Sequence, residues 1–317
     1  MGPGPILLLG AQGQLGATLR DYLSPWGAPL AWGRAEADLA EPGRLREKLE
    51  ALPFVPAAIV NAAAYTKVDR AESERDICFK TNAESPAVLA RHARDRGILF
   101  VSYSTDYVYG GGGAAPWSEG DGEAPLNVYG ESKLAGDRAV LAIGGKILLL
   151  RTSWVYSPLG NNFARTVLKL AEEKDSLSMD RTQVGVPTPT SLLAGVTALV
   201  LGRFLGAPRE TRGEGPGPWG LYHLAPKGET TWWEFSRFLV GAARAGGLPL
   251  RLRPEDIVAR DSEDLSRPAR RPLNSRLNTR KIEETFGLRL PHWTVGAGKF
   301  IEDRLRFAGV AGPRGPF

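Results

Sequence analysis

Tyr129 and Lys133 stand four residues apart in the run Pro125-Leu126-Asn127-Val128-Tyr129-Gly130-Glu131-Ser132-Lys133, a spacing that puts phenol and ammonium on one face of a helix. A free phenol, with a pKa of about 10, is a sluggish proton carrier at neutral pH. A fixed ammonium beside it favours the phenolate and is expected to bring that pKa toward the working range. Such a phenol can exchange a proton with a carbonyl oxygen, the acid–base half of a carbonyl reduction. Tyr-x-x-x-Lys alone is common, so its meaning depends on what the rest of the chain supplies.

The chemistry also needs a hydride source, and the run Ile6-Leu7-Leu8-Leu9-Gly10-Ala11-Gln12-Gly13-Gln14-Leu15-Gly16 supplies a place for one. Four apolar residues running into Gly-x-x-Gly-x-x-Gly read as strand, turn and helix. The first glycine permits the turn, the second lets a pyrophosphate approach the backbone, and the third lets helix and strand pack closely. Gly10, Gln12, Gly13, Gln14 and Leu15 are therefore candidate cofactor contacts at a helix N-terminus. After the second strand comes Trp32-Gly33-Arg34, with no carboxylate where an NAD-selective fold would hold the ribose 2′-hydroxyl. Arg34 suits a 2′-phosphate instead, which favours NADPH with NADH tolerated. Asp38 and Leu39 are placed to flank the adenine. The small residues of Asn61-Ala62-Ala63-Ala64-Tyr65-Thr66 would let the nicotinamide half pass closely.

Further along, Phe100-Val101-Ser102-Tyr103-Ser104-Thr105-Asp106 ends a predicted strand with two hydroxyls. Ser104 and Thr105 are both candidates to polarise a carbonyl that Tyr129 protonates, and strand alternation lets only one face the cleft. Trp154 offers a broad face for a sugar ring. Lys67 and Arg70 sit in the same neighbourhood without an assignable role, and Glu172-Glu173 reads as a solvated helix face.

These residues need a scaffold. At 317 residues the chain can bury a sizeable core as one large or two intimate domains. Apolar runs alternate with helical patterns in βαβ order, predicting an α/β fold with a Rossmann-type doubly wound parallel sheet. Strands are expected at about 5–10, 28–32, 57–62, 97–103 and 146–151, and helices near 13–24, 41–51, 69–76, 82–96 and 128–142. The glycines of 110–113 and 119–122 mark a surface loop before the last of these helices. From about Ser157 the alternation degrades, and Trp219, Tyr222, Trp232, Trp233 and Phe235 cluster. We therefore expect a dinucleotide domain over 1–156, with 184–210 and 250–275 returning to it, and a smaller C-terminal α/β substrate domain from 157–183 and 215–310. Residues 311–317 are expected to be a flexible tail. The substrate would bind between the two units, beyond the carboxyl ends of the strands.

Composition removes other classes. The net charge of +5 is carried by scattered basic residues, about three quarters of them Arg, without the stripe or aromatic-basic module of a nucleic-acid binder. The single cysteine, Cys78, excludes an internal disulfide framework and fits a cytoplasmic setting. Met1 leads into the glycine turn without a basic n-region, so no secretory leader is expected. The apolar stretch Val186 to Gly202 is too short and too interrupted by proline to span a membrane.

The wide gap between the first two glycines, followed by Tyr-x-x-x-Lys, resembles the extended short-chain dehydrogenase/reductase superfamily. Within it, Val60 to Glu72, Ser104 to Tyr109, Pro125 to Lys133, Arg151 to Tyr156 and Arg271 to Ser275 resemble the dTDP-4-dehydrorhamnose reductase family over about residues 6–295. The resemblance implies NAD(P)H-dependent reduction of the C4 ketone of dTDP-4-dehydro-L-rhamnose, a nucleotide sugar, giving dTDP-L-rhamnose. By it, Tyr129 is the proton donor, Thr105 its hydroxyl partner and Lys133 the ribose contact, with Asn82 in the proton-relay position. Gly13, Gln14 and Leu15 face the pyrophosphate, and Ala64, Tyr65, Thr66 and Tyr103 lie along the rest of the cofactor. Thr105, Asp106 and Trp154 meet the sugar; Asn162, Arg271 and Asn274 meet the nucleotide or its phosphates. It also allows Mg2+, with no ligands named, and a monomer or homodimer.

Two other readings share parts of the pattern. A nucleotide-sugar dehydratase needs an acid where Tyr107 stands, and the epimerases typically carry the carboxylate after the second strand that is missing here. A regulatory subunit resembling the β subunit of methionine adenosyltransferase keeps the fold but lacks the intact catalytic Tyr.

Overall fold

A computed structural model describes residues 4–206, 217–264 and 267–309; the tail expected at 311–317 lies outside them. The chain runs β1 (Leu7–Leu9), α1 (Gln14–Leu23), β2 (Leu30–Trp32), α2 (Pro42–Glu50), β3 (Ala58–Asn61), α3 (Val68–Ala71), α4 (Arg75–Phe79), a π-helical turn (Lys80–Glu84) and α5 (Ser85–Asp95). It continues through β4 (Leu99–Thr105), α6 (Val128–Ile143), β5 (Ile147–Thr152), β6 (Val155–Tyr156), α7 (Phe163–Glu173), β7 (Leu177–Asp180), β8 (Val184–Gly185), β9 (Thr188–Pro189) and α8 (Thr190–Gly206). The last two described stretches hold β10 (Gly220–His223), β11 (Thr230–Thr231), α9 (Trp232–Ala245), β12 (Ile257–Arg260), α10 (Arg280–Phe286) and α11 (Trp293–Phe307).

Six strands form one sheet in the order β10-β5-β4-β3-β1-β2, with every neighbouring pair parallel. β1, β3, β4 and β5 are buried along their whole length, which is why each opens on an unbroken apolar run of three or four residues rather than an alternating one. One core, with Leu8, Val60, Val101 and Leu148, packs the sheet on α1 and α8; another, with Leu7, Ile59, Phe100 and Leu149, packs the opposite face on α2 and α5. A third core joins α7, α9 and α11 through Val167, Phe235, Leu239 and Phe300.

Three parts of the layout differ from expectation. The helix expected over 69–76 is two short helices followed by the π-helical turn, and α5 starts at Ser85, with Pro86 in its first turn, rather than at 82. Proline suits a helix's first turn because it has no N–H to satisfy there. The sixth strand is Gly220–His223, placed by the sequence in the smaller unit; α10 covers it, and Ile282, Phe286 and Leu290 join the sheet-side core. Conversely, 250–260 does not return to the large sheet: β12 pairs with β7, and Leu250, Leu252 and Ile257 lie in the third core. Four-residue strands carry little periodicity, so their partners depend on pairing that is distant in the chain.

Candidate active site

The strand order reverses at β1, which lies between β2 and β3 with all three parallel. Such a switch point opens a crevice at the carboxyl ends of the strands, and a cleft of about 1720 Å³ lies there. Its base is the glycine turn. Gly10 has φ +72°, and an added Cβ would meet the Ala63 amide nitrogen at 2.6 Å; a Cβ on Gly16 would lie 2.0 Å from the Gly10 carbonyl. The third glycine thus brings α1 against the strand exit. Gly13 caps α1 without a side-chain hydrogen bond, leaving first-turn amides free for an anion. Together these features fit the pyrophosphate of a dinucleotide.

Gly10, Gln12, Gly13, Gln14, Leu15, Arg34, Asp38, Leu39, Ala62, Ala63, Ala64, Tyr65, Thr66 and Tyr103 all border this cleft. Asp38 is held by the Ala40 amide at 2.9 Å, and the Leu39 carbonyl by the Ser85 hydroxyl at 2.7 Å. A carboxylate does stand at the exit of β2, three residues later than the usual place: Glu36 Oε2 accepts from the Gly33 amide at 2.7 Å. The sequence reading missed it because the fingerprint looks directly after the strand. The Tyr65 hydroxyl donates to Glu74 at 2.5 Å, burial and that carboxylate push its pKa up to about 12, and Arg70 pairs with the same Glu74. Arg70 thereby gains a structural partner.

The Tyr129–Lys133 pair rides on α6, which starts where the Asn127 side chain accepts from the Gly130 amide at 2.8 Å. Lys133 Nζ donates to the Tyr103 carbonyl at 2.7 Å. Burial lowers the ammonium pKa, and the Asp137 carboxylate one turn on opposes that shift. For Tyr129 the expected depression does not occur: burial pushes the phenol pKa well up, and the hydrogen bond with Thr105 opposes this only in part. Desolvation of the phenolate is the dominant effect, so the phenol keeps its proton.

Thr105 ends β4, donates to Asp106 Oδ1 at 3.1 Å and accepts from the Tyr107 amide at 3.2 Å. Both Ser104 and Thr105 border the cleft, but the Ser104 hydroxyl lies beside Asp137 whereas Thr105 engages Tyr129. Asp106 is 2% exposed. Burial raises its pKa to about 7, opposed by the hydroxyls of Ser275 and Thr105, and its Oδ2 has no hydrogen-bond partner among the described residues.

On the opposite wall, Trp154 borders the cleft with φ +46°, stacked on Trp232 with ring centroids 3.6 Å apart and planes 15° from parallel. A left-handed non-glycine residue persists only where its surroundings fix it; here Gly185 leaves the room, since a Cβ there would meet the indole at 2.7 Å. Arg271 borders the cleft and pairs with Asp69 at 2.9 Å. Two expected contacts do not line it. Asn162 caps α7 and donates to Gln14 Oε1 at 2.9 Å, leaving its neighbour Asn161 on the wall. Asn274, 1% exposed, donates to the Ala115 carbonyl at 2.8 Å. Asn82 is likewise committed: it accepts from the Tyr65 amide at 2.8 Å and donates to Ser132 Oγ at 3.0 Å.

The sequence reading also missed Trp232, and the support beneath α6. Arg151, fully buried, pairs with Asp137 at 2.9 Å and Glu123 at 2.7 Å and donates to the Tyr109 hydroxyl at 2.8 Å. An arginine closing the apolar run Ile147-Leu148-Leu149-Leu150 was the available signal, because a buried guanidinium requires acidic partners. No group of three or more acidic, histidine or cysteine side chains that could hold a metal occurs among the described residues, so no step below is routed through Mg2+.

A doubly wound parallel sheet with a glycine turn at its switch point, a Thr at a strand end and a Tyr and Lys on the neighbouring helix defines an NAD(P)H-dependent oxidoreductase of the short-chain dehydrogenase/reductase type. Residues 4–306 match the family model described as the RmlD substrate binding domain. The dTDP-4-dehydrorhamnose reductase of Escherichia coli K12 is 41% identical over 302 residues, 94% of this chain and 97% of that one. The Burkholderia thailandensis protein of the same name is 40% identical over 95% and 99% of the two chains. Among solved structures, the Clostridium acetobutylicum reductase gives a TM-score of 0.83 at 29% identity, covering 95% of this chain and 99% of its own. The Bacillus anthracis reductase, in complex with NADP, gives 0.80 at 27%, covering 96% and 99%. The chain belongs to the dTDP-4-dehydrorhamnose reductase family.

Proposed function

We propose that this enzyme reduces the C4 ketone of dTDP-4-dehydro-L-rhamnose to dTDP-L-rhamnose, favouring NADPH and accepting NADH. The observation that carries the reading is a half-buried Tyr129 that keeps its proton, beside Thr105 and bordering the same cleft as Lys133 and the glycine turn. When bound, the reduced nicotinamide supplies hydride to the ketone carbon. Tyr129 gives its proton to the oxygen as negative charge develops there. Thr105, whose hydroxyl proton rests on Asp106, can turn that proton toward the phenol oxygen and stabilise it as the Tyr129 proton leaves. Lys133, free to exchange its carbonyl contact for a ribose hydroxyl, supplies positive charge that stabilises Tyr129 once the proton has left. Asp106 Oδ2 is an unoccupied acceptor for a sugar hydroxyl, Trp154 and Trp232 form an apolar wall, and Arg271 faces the nucleotide side. The unit built on the third core is the substrate lobe. With one buried cysteine and no helix among the described residues long and apolar enough to cross a membrane, a cytoplasmic setting fits.

Mixing the protein with NADPH and the 4-ketosugar should consume cofactor and sugar one for one at the nicotinamide absorbance. An epimerase would interconvert sugars without net consumption, and that result would remove the proposal. Tyr129→Phe should lower kcat by roughly 10²- to 10⁴-fold, the span of one general acid, with NADPH binding retained; near-normal turnover would strip Tyr129 of its role.

A further inference from the structure

The exit of β2 carries an arrangement that the catalytic reading leaves unused. The Gly33 amide donates to Glu36 Oε2 at 2.7 Å. The turn around it is closed by the Ala37 amide on the Gly33 carbonyl at 2.9 Å and by Lys48 Nζ on the Glu36 carbonyl. Gly33, Arg34 and Gln12 border the same corner of the cleft. A Cβ on Gly33 would meet the Gln12 side-chain amide carbon at 2.7 Å, so the Gln12 amide packs close against that backbone. A backbone N–H with a guanidinium on the next residue is a natural seat for an anion. In this chain the anion on the amide is the protein's own carboxylate.

We propose that Glu36 is an internal competitor for the adenosine 2′-phosphate and sets the ratio of NADPH to NADH use. This rests on the dinucleotide reading of the cleft. A 2′-phosphate attracted by Arg34 must displace or repel the Glu36 carboxylate to reach the Gly33 amide. An unphosphorylated ribose instead finds a hydrogen-bond acceptor already positioned for its 2′-hydroxyl. Opposed charges two residues apart therefore leave both dinucleotides usable, and either can be favoured by removing one charge.

The test is equilibrium binding of NADP+ and NAD+ to the whole protein, followed by its tryptophan fluorescence, without sugar or turnover. Glu36→Gln keeps the acceptor and loses the charge; it should tighten NADP+ roughly fivefold, the scale of one exposed charge pair, and leave NAD+ within about twofold. Glu36→Ala should do the same for NADP+ and weaken NAD+. Arg34→Ala should weaken NADP+ selectively. If the Glu36 variants leave the NADP+ to NAD+ ratio unchanged, the competitor role is overturned while the reductase reading stands. If the native protein binds neither dinucleotide, both fall.

Discussion

Asp106 illustrates how burial decides the chemistry of a single side chain. It follows the active-site hydroxyl directly, yet its sequence neighbours say nothing about its charge. Enclosed in the protein its carboxyl has a pKa of about 7, whereas in an unfolded chain it returns to about 3.9. Between those values the native state holds a proton that the unfolded state has lost, so stability falls as pH rises through that window and levels off above it. Asp106→Asn removes the titration and keeps an acceptor for Thr105. Its melting temperature relative to the native enzyme should climb from about pH 4 to about pH 7, then run level; parallel curves across that range would show that Asp106 ionises normally. The same desolvation keeps the proton on Tyr129, the state a reductase needs at the start of its cycle.

Among the elements, α6 does the positioning, and its contact with the π-helical turn sets its height over the sheet. Gly136 faces the Asn82 carbonyl, and an added Cβ would lie 2.0 Å from that oxygen. The obstacle is backbone, so a methyl can be accommodated only by moving α6, and with it Tyr129 and Lys133. Gly136→Ala should therefore lower stability by about 1–3 kcal/mol in denaturant melts and reduce activity further than the stability loss explains. Gly112, where an added Cβ meets nothing within 4 Å, is the control: Gly112→Ala should match the native protein. Equal behaviour of the two variants would mean that α6 is free to shift. Asn82 works at the same contact, tying the Tyr65 peptide to Ser132 on α6. Its amide therefore reads as a latch between the cofactor loop and the catalytic helix.

In the molecule as a whole, Arg151 ties together parts of the chain that the sequence keeps far apart. It reaches from β5 to Asp137 on α6 and Glu123 in the preceding loop, and through Tyr109 to His223 on β10, 2.7 Å from that hydroxyl. The guanidinium is fully buried and Asp137 nearly so. Removing one partner of such a group strands the other charges, at about 3–5 kcal/mol. Arg151→Met should lose about that much in a urea melt, and Arg151→Met combined with Asp137→Leu should recover part of it. A single variant within about 1 kcal/mol of the native protein would mean that water already reaches the carboxylates.

The glycine turn, the helical spacing of Tyr129 and Lys133 and the hydroxyl at the end of β4 were legible from residue order, because each is a constraint satisfied within a few neighbouring residues. The alternation of buried strands with helices likewise implies a doubly wound sheet wherever it occurs. Other features depend on what folds over a residue from far along the chain. Gly220–His223 becomes the sixth strand only by pairing with β5, and Trp154 meets the cleft only as half of a stack with Trp232. Asn162 and Asn274, both plausible ligand contacts by type, are consumed by backbone and side-chain partners. The clearest reversal is Tyr129: residue order puts an ammonium one turn along the same helix, while folding supplies the covering that raises the phenol pKa instead, because the cost of an ion depends on the water removed from around it.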